Sequence, residues 1–315
     1  MLTEPDDLSD HDVLEAARRN WRWPIDRCNY LAAGMGAHHW LGHAADGAPI
    51  AFVTADRADT VRAPYLAARE LRDRGHTFVL APERTVDGDV IAPVGDGWWL
   101  SSTPYVVGRS GDGSYRNDVE RMQVANLLGM LHSAEPPADL PRWAPKQDWP
   151  DALAALDDVD DTWTSGPMAA ELHQLFARNE KRIRSWMTEF RELCHEILPG
   201  DEPWAVTHGE PHSANLRWAD DGRLLLVDWD TVALAPRERD LGDVLARAST
   251  AAVSESYISG GGSATAPRAG LLDLFTREWV LDELDVYGRQ LRAPHNGNEN
   301  DRVAIESLRE YLQPG

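Results

Sequence analysis

His208, Gly209, Glu210, Pro211, His212, Ser213, Ala214 and Asn215 spell HGEPHSAN, and the run LLLVDWD follows at 224–230. Leu224, Leu225, Leu226 and Val227 read as a buried strand, and Asp220, Asp221 and Gly222 as the hairpin turn before it. That turn folds Asp228 back toward Asn215. A neutral amide oxygen and a carboxylate suit a hard divalent cation, magnesium above all. Glu210, on the same loop as Asn215, can orient a hydroxyl or accept its proton. Grouped in this way, the three side chains point to phosphoryl transfer, in which the protein mainly positions groups and neutralises charge.

His208, Glu210 and His212 alternate, and on a regular strand they would share a face as transition-metal ligands. Pro211 removes a ladder donor and breaks the pleat, which weighs against that metal-hydrolase reading. The zinc-helix pattern, two histidines four apart with glutamate after the first, is not matched either. His208 is read as a structural residue that bonds backbone near the loop.

At 315 residues and 43% hydrophobic content, the chain is long enough for two cores. Residues 1–12 are acidic where a secretory signal needs basic and apolar regions, and no apolar run approaches membrane-spanning length. A cytoplasmic location with no membrane partner is expected. Cys28 and Cys194 are far apart, without disulfide-framework or zinc spacing. The net charge of −21 weighs against a nucleic-acid partner and favours cationic ligands. Lys146 and Lys181 are the only lysines.

Upstream, residues 13–20 read as a short helix. Strands are expected at 30–33, 39–41 and 50–53, with a glycine turn at 34–37 and a hairpin turn at Asp46 and Gly47. A helix follows up to Gly75, then strands at 78–80 and 98–101. This part reads as a small antiparallel sheet with one helix inserted. The glycine-rich stretch 109–115 suits a hinge or the loop after one, and the rest is mainly helical. Val119, Met122, Ala125, Leu128 and Leu131 form one apolar stripe. Val280, Leu284, Tyr287 and Leu291 form another, with Glu278, Asp282 and Asp285 on its opposite face. Residues 259–270 read as a loop between helices.

These motifs resemble those of the aminoglycoside phosphotransferase family, relatives of choline kinase and homoserine kinase. HGEPHSAN is similar to that family's catalytic loop, H-G-D-x-x-x-x-N, and LLLVDWD to its metal-binding strand end. The resemblance implies a protein-kinase-like two-lobed α+β fold, with a nucleotide-binding lobe at 1–103 and a helical catalytic lobe at 104–315. It puts Glu210 in the place of the catalytic aspartate, and Asn215 and Asp228 in those of the magnesium ligands. Pro236, Arg237, Asp240 and Leu241 resemble the segment whose aspartate braces the loop, and Leu131 and His132 the end of the first long helix of the second lobe. Gly34, Met35, Gly36, Ala37 and His38 sit where the family's nucleotide-covering loop lies. Ser102 to Val106, including Tyr105, resemble the linker that pairs with adenine. ATP or GTP with Mg2+ is the implied cofactor set.

Two positions depart from the pattern. Kinases of this type carry a lysine on the third strand that holds phosphates and pairs with a helix glutamate; this chain has Thr54 there. Glu70 is the candidate partner glutamate, and Arg57, Arg62, Arg69 or His38 are candidates to neutralise phosphate. The second departure is Glu210 for aspartate. Its extra methylene moves the carboxylate by roughly a bond length, and errors of ~1 Å in placement cost about a hundredfold. Pro211 is a candidate for adjusting the backbone to suit.

The expected function is O-phosphorylation of a small-molecule hydroxyl, with an aminoglycoside-like or other amine-bearing natural product as the leading acceptor. Antibiotic resistance or self-protection during biosynthesis is the implied role. The acidic stretch of Asp151, Asp157, Asp158, Asp160 and Asp161, and the face of Asp282 and Asp285, are candidate ammonium contacts. The alternatives are a peptide Ser/Thr kinase and, given Thr54, a nucleotide-sensing pseudokinase.

Overall fold

The computed structural model describes residues 1–159, 163–197, 203–245 and 250–313; Asp160 and Asp161 lie outside them. The first part of the chain forms α1 (Asp10–Trp21), β1 (Arg27–Leu31), β2 (His38–His43), β3 (Pro49–Asp56), α2 (Arg62–Asp73), β4 (Ala92–Val94) and β5 (Trp98–Pro104). Next come β6 (Gly108–Ser110), α3 (Asp118–His132), α4 (Pro150–Asp157), α5 (Ala169–Ile197) and β7 (Ala205–Thr207). The last elements are β8 (Leu216–Ala219), β9 (Leu224–Leu226), β10 (Ala233–Ala235), α6 (Gly242–Leu245), α7 (Thr250–Ser259), α8 (Ala269–Arg292) and α9 (Glu299–Tyr311). The chain is two-lobed, with an N-terminal antiparallel-sheet lobe and a larger helical C-terminal lobe. Its compact units follow a different partition: Met1–Trp143 with Pro203–Pro267, and Ala144–Glu202 with Arg268–Gly315.

In the first unit, the sheet runs β1-β2-β3-β5-β4, every pair antiparallel. Side-chain alternation gives it two different faces. Trp40, Ala51, Val53, Ala55 and Leu100 point into a core shared with Val13, Ala16 and Ala17 of α1. A capping box fixes the start of α1, Ser9 accepting from the Asp12 N–H while Asp12 accepts from that of Ser9. Asp10 then accepts from the Trp40 indole at 2.8 Å and the Tyr30 N–H at 3.1 Å, tying helix to sheet. The opposite face carries His39, Phe52, Thr54 and Ser101.

Phe78, Val79 and Leu80, whose apolar pattern predicts a strand of this sheet, do not join it. They form a single parallel bridge with Leu226 of β9: Leu80 N–H donates to Leu226 O at 3.0 Å, and Leu226 N–H to Phe78 O at 2.8 Å. The bridge gives their backbone groups partners on the strand that leads to Asp228. The α3 stripe also differs from the expected one. Val119 is 58% exposed, while Val124, Leu127, Leu128 and Leu131 are buried. In the first turn Glu120 turns inward instead, pairing with Arg109 and accepting from the Arg116 N–H.

The second unit packs α4, α5, α8 and α9. Trp149 is fully buried against Phe190 at a ring separation of 5.2 Å, and its indole donates to Asp282 at 2.7 Å. Asp285, expected on the polar face of α8, is buried. Its carboxylate accepts the Asp151 and Ala152 N–H groups at 2.8 and 3.0 Å, supplying the acceptor that an α4 begun by Pro150 lacks locally. Asp285→Ala therefore lowers stability by about 1–3 kcal/mol. Asp157→Ala, which removes an exposed pair with Arg184, costs under about 1 kcal/mol. Thermal unfolding of the two variants side by side checks the difference.

Candidate active site

The 208–215 loop leaves β7, whose antiparallel partner is β10, and its first turn is built on one buried carboxylate. Asp240 accepts the N–H groups of His208 and Gly209, both at 2.7 Å, and lies 3.0 Å from His132 Nε2. Burial opposes its charge, but the hydrogen bond and charge of His132, with His208 and Arg239, hold its carboxyl below the usual range. Gly209 sits at φ +101°, and a Cβ there would lie 2.5 Å from the Arg239 guanidinium, so a side chain is excluded twice over. Arg239 in turn donates to Thr231 O at 2.9 Å and Thr207 Oγ1 at 3.2 Å.

His208 is buried, and burial pushes its pKa down to about 4, so the ring is neutral. Nε2 lies 2.8 Å from Val227 O, which can only accept; Nε2 therefore carries the proton, and Nδ1 accepts from the Glu210 N–H at 3.3 Å. One imidazole thus joins the backbone of Glu210 to the residue before Asp228. Asn215 makes the parallel link. Its O accepts the Val227 N–H at 3.0 Å, and its Nδ2 donates to Glu210 O at 3.0 Å, which leaves Oδ1 as the acceptor.

The far side of the loop is gripped by residues 111–115. Tyr115 Oη donates to Pro211 O at 2.6 Å, Ser213 Oγ donates to Ser114 O at 2.7 Å, and Gly113 N–H donates to Ser213 Oγ at 3.1 Å. A Cβ on Gly111 would come within 2.2 Å of Ser213 Oγ.

Within the first unit, Asn215 and Asp228 share a cavity of about 560 Å3 with Gly34, Thr54 and Tyr105. Asp228 adopts a left-handed conformation, φ +63°, which aspartate tolerates better than most residues. Burial, then the charges of Asp230, Glu210 and Asp56, push its carboxyl well above the ordinary carboxylate range. Asp230 shifts in the same direction through burial. Asp56 rises to about 7 through burial and the charge of Asp230, and one of its oxygens is buried without a hydrogen-bond partner. No lysine lines the cavity. Carboxylates that raise one another's pKa, with no lysine on the cavity wall, fit a bound cation. Among the described residues no three His, Cys, Asp or Glu side chains are grouped to hold a metal. Asn215 Oδ1 and the Asp228 carboxylate are oxygen donors of the kind magnesium accepts, and both line the cavity.

The other sequence candidates lie elsewhere. Met35, Gly36, Ala37, His38 and Ser102 are absent from the cavity wall. His38 bonds the Tyr30 hydroxyl at 3.0 Å, and Ser102 is buried with its hydroxyl 3.4 Å from Phe52 O. Glu70 pairs with Arg74 on the surface of α2. Arg57 binds Asp7, Arg62 binds Asp89, and Arg69 binds Asp73 and Glu83. In the second unit, Asp157, Asp158 and Asp282 pair with Arg184, Arg292 and Lys146. The cavity wall also includes residues that the motifs do not pick out: His39, Tyr65 and Arg217. Strand parity carries the signal for His39, because a buried Trp40 sends His39 to the other face.

This architecture, with a cavity between the sheet and a braced loop, is that of the protein-kinase-like phosphotransferases. Residues 94–272 match the phosphotransferase enzyme family, APH, and the chain belongs to that family. Solved structures share the fold over nearly the whole chain. Spectinomycin phosphotransferase APH(9)-Ia, in complex with ADP and spectinomycin, aligns with a TM-score of 0.78 at 16% identity, covering 98% of this chain and 95% of its own. Amicoumacin kinase hAmiN, in complex with AMP-PNP, Ca2+ and Ami, aligns at 0.60 and 13%, covering 95% and 92%. Choline kinase LicA from Streptococcus pneumoniae aligns at 0.56 and 12%, covering 95% and 96%. No curated protein matches the chain by sequence. No described helix is long and apolar enough to cross a membrane.

Asp240→Ala strands two buried N–H groups and costs about 3 kcal/mol or more, read by thermal unfolding. Asp56→Asn has the opposite effect. With its pKa at about 7 rather than 3.8, the folded chain keeps a proton that the unfolded chain has released, so this residue lowers stability as pH rises from about 4 to 7. The variant gains on the wild type over that interval, at about 2–4 °C in Tm per kcal/mol. Melting curves at pH 4 and pH 8 measure the gain.

Proposed function

We propose that this chain is a magnesium- and nucleoside-triphosphate-dependent O-phosphotransferase acting on a small-molecule hydroxyl, with an amine-bearing natural product as the leading acceptor class. The observation that carries the proposal is Asp228, which shares a lysine-free cavity with Asn215 and lies within the charge influence of Asp230, Glu210 and Asp56. The cavity, at about 560 Å3, is within the range of small-molecule sites. Relatives of the same fold have been solved with ADP and spectinomycin, and with AMP-PNP, Ca2+ and Ami, which supports both the nucleotide and an antibiotic acceptor. An antibiotic-resistance or self-protective role follows from the same likeness. The division into a nucleotide lobe at 1–103 and a catalytic lobe at 104–315 is part of this reading.

Asn215 and Asp228 would hold magnesium, which when bound supplies charge neutralisation to the phosphates. Glu210, its side chain 45% exposed, accepts the proton of the acceptor hydroxyl as that oxygen bonds to the terminal phosphorus. The bond from that phosphorus to the bridging oxygen breaks, and the nucleoside diphosphate leaves. His208 fixes the Glu210 N–H and Asn215 the Glu210 carbonyl, so the longer acid works from a backbone held at both ends. The overall charge of −21 attracts a cationic acceptor. Asp157, Asp158, Asp282 and Asp285 would contact it only by exchanging their present partners.

A nucleotide-sensing pseudokinase is the second reading, favoured by Thr54 and the lysine-free cavity. Turnover separates the two. Glu210→Gln is expected to lower phosphate transfer 10²–10⁴-fold while leaving ADP affinity within a few-fold. Asp228→Asn is expected to abolish the magnesium-dependent part of the thermal shift given by ADP. Undiminished transfer by Glu210→Gln, on any acceptor the wild type phosphorylates, removes the catalytic assignment. ADP binding with no transfer to a panel of aminoglycosides, nucleoside antibiotics and peptides favours the sensor.

A further inference from the structure

We infer that His39, held by Thr54, is the group that receives nucleotide phosphate in this cleft, taking over the place of the strand lysine that the chain lacks. The inference rests on the nucleotide-binding reading above and adds a binding residue to it.

Thr54 and His39 are direct cross-strand partners on β3 and β2. Their side chains meet, His39 Nδ1 lying 3.2 Å from Thr54 Oγ1, and both line the cavity. The ring also rests against Phe52, with centroids 5.0 Å apart, so its plane is fixed from two sides. With Nδ1 engaged, Nε2 becomes the free edge. It has no hydrogen-bond partner among the described residues. It lies beneath the glycine turn, 3.4 Å from the point where a Cβ on Gly34 would stand, and Gly34 is at φ +66°. An alanine there would be strained and would crowd the imidazole.

Burial pushes the His39 pKa down to about 3, so the ring is neutral. The Thr54 hydroxyl can donate to Nδ1, which puts the remaining proton on Nε2, aimed into the cavity. A neutral N–H is an adequate phosphate donor where a bound cation supplies the positive charge. Among the described residues, the cationic side chains near the cavity are engaged elsewhere. Arg57, Arg62 and Arg69 are committed to carboxylates, as described above. Arg217, the only Arg or Lys on the wall, is anchored at the hinge by Val106 O at 3.0 Å and Ser110 Oγ at 3.1 Å.

Titration calorimetry with ADP and with adenosine, both with magnesium, on the wild type, His39→Ala, His39→Gln and Thr54→Val tests this. His39→Ala should weaken ADP about tenfold and leave adenosine within twofold, because only ADP offers phosphate. Glutamine keeps a neutral donor and should recover most of the loss; Thr54→Val, which frees Nδ1, should lose less than His39→Ala. In ¹⁵N-histidine-labelled wild type, which needs no variant to fold, the His39 Nε2 resonance should move with ADP and not with adenosine. Equal weakening of both ligands, no weakening of ADP, or an unmoved Nε2 resonance overturns the inference and leaves nucleotide binding standing. A wild type that binds neither ADP nor ATP overturns both.

Discussion

The candidate site depends on a single carboxylate that takes no part in the chemistry. Asp240 is buried beneath the loop and accepts from two consecutive backbone amides, while His132 of α3 bonds its side chain. A loop that must present Glu210 to solvent cannot satisfy its first amides within regular structure, and an unpaired buried amide is costly. Asp240 meets that demand. His208 and Asn215 then carry the order outward to Val227 and hence to Asp228. From α3 to Val227 beside Asp228, the path consists of hydrogen bonds among buried and half-buried residues. Its members are therefore coupled, and loss of one is felt at the others.

Charge is arranged with the same economy. Protein-kinase-like sites balance their acidic groups with a lysine; this cleft leaves Asp228, Asp230 and Asp56 facing one another, with their carboxyls raised by burial and mutual repulsion. The repulsion is a cost to the empty fold that a bound cation would lessen. Thr54 and His39 suit such a site because they add hydrogen-bonding capacity without competing for the carboxylates.

Much of this was readable before any coordinates, and for physical reasons. HGEPHSAN and LLLVDWD identify the loop and the strand because glycine, amide and carboxylate positions there have narrow backbone and chemical requirements. The N-terminal sheet follows from alternation and turn residues. What composition does not carry is pairing. Phe78, Val79 and Leu80 look like any short strand, and only the fold sends them to Leu226. Asp285 looks like a surface acid until the amides of the α4 start are placed over it. His38 and His39 differ by one position of strand register, and that one position decides which of them meets the cleft. Arg57 and Arg62, near the missing lysine, give no sign in the sequence of being occupied, because their partners Asp7 and Asp89 are remote in the chain.

The bridge between residues 78–80 and β9 bears on how the cleft opens. Two backbone hydrogen bonds join the segment after α2 to the strand that presents Asp228. A sliding motion of the sheet past that strand would break both at once and leave polar groups bare in an apolar setting. A tilt about the line of the bridge would preserve them. Any widening of the cleft that keeps both bonds is therefore a tilt about the bridge, which would carry the glycine turn away from Asp228 while Leu226 stays in place.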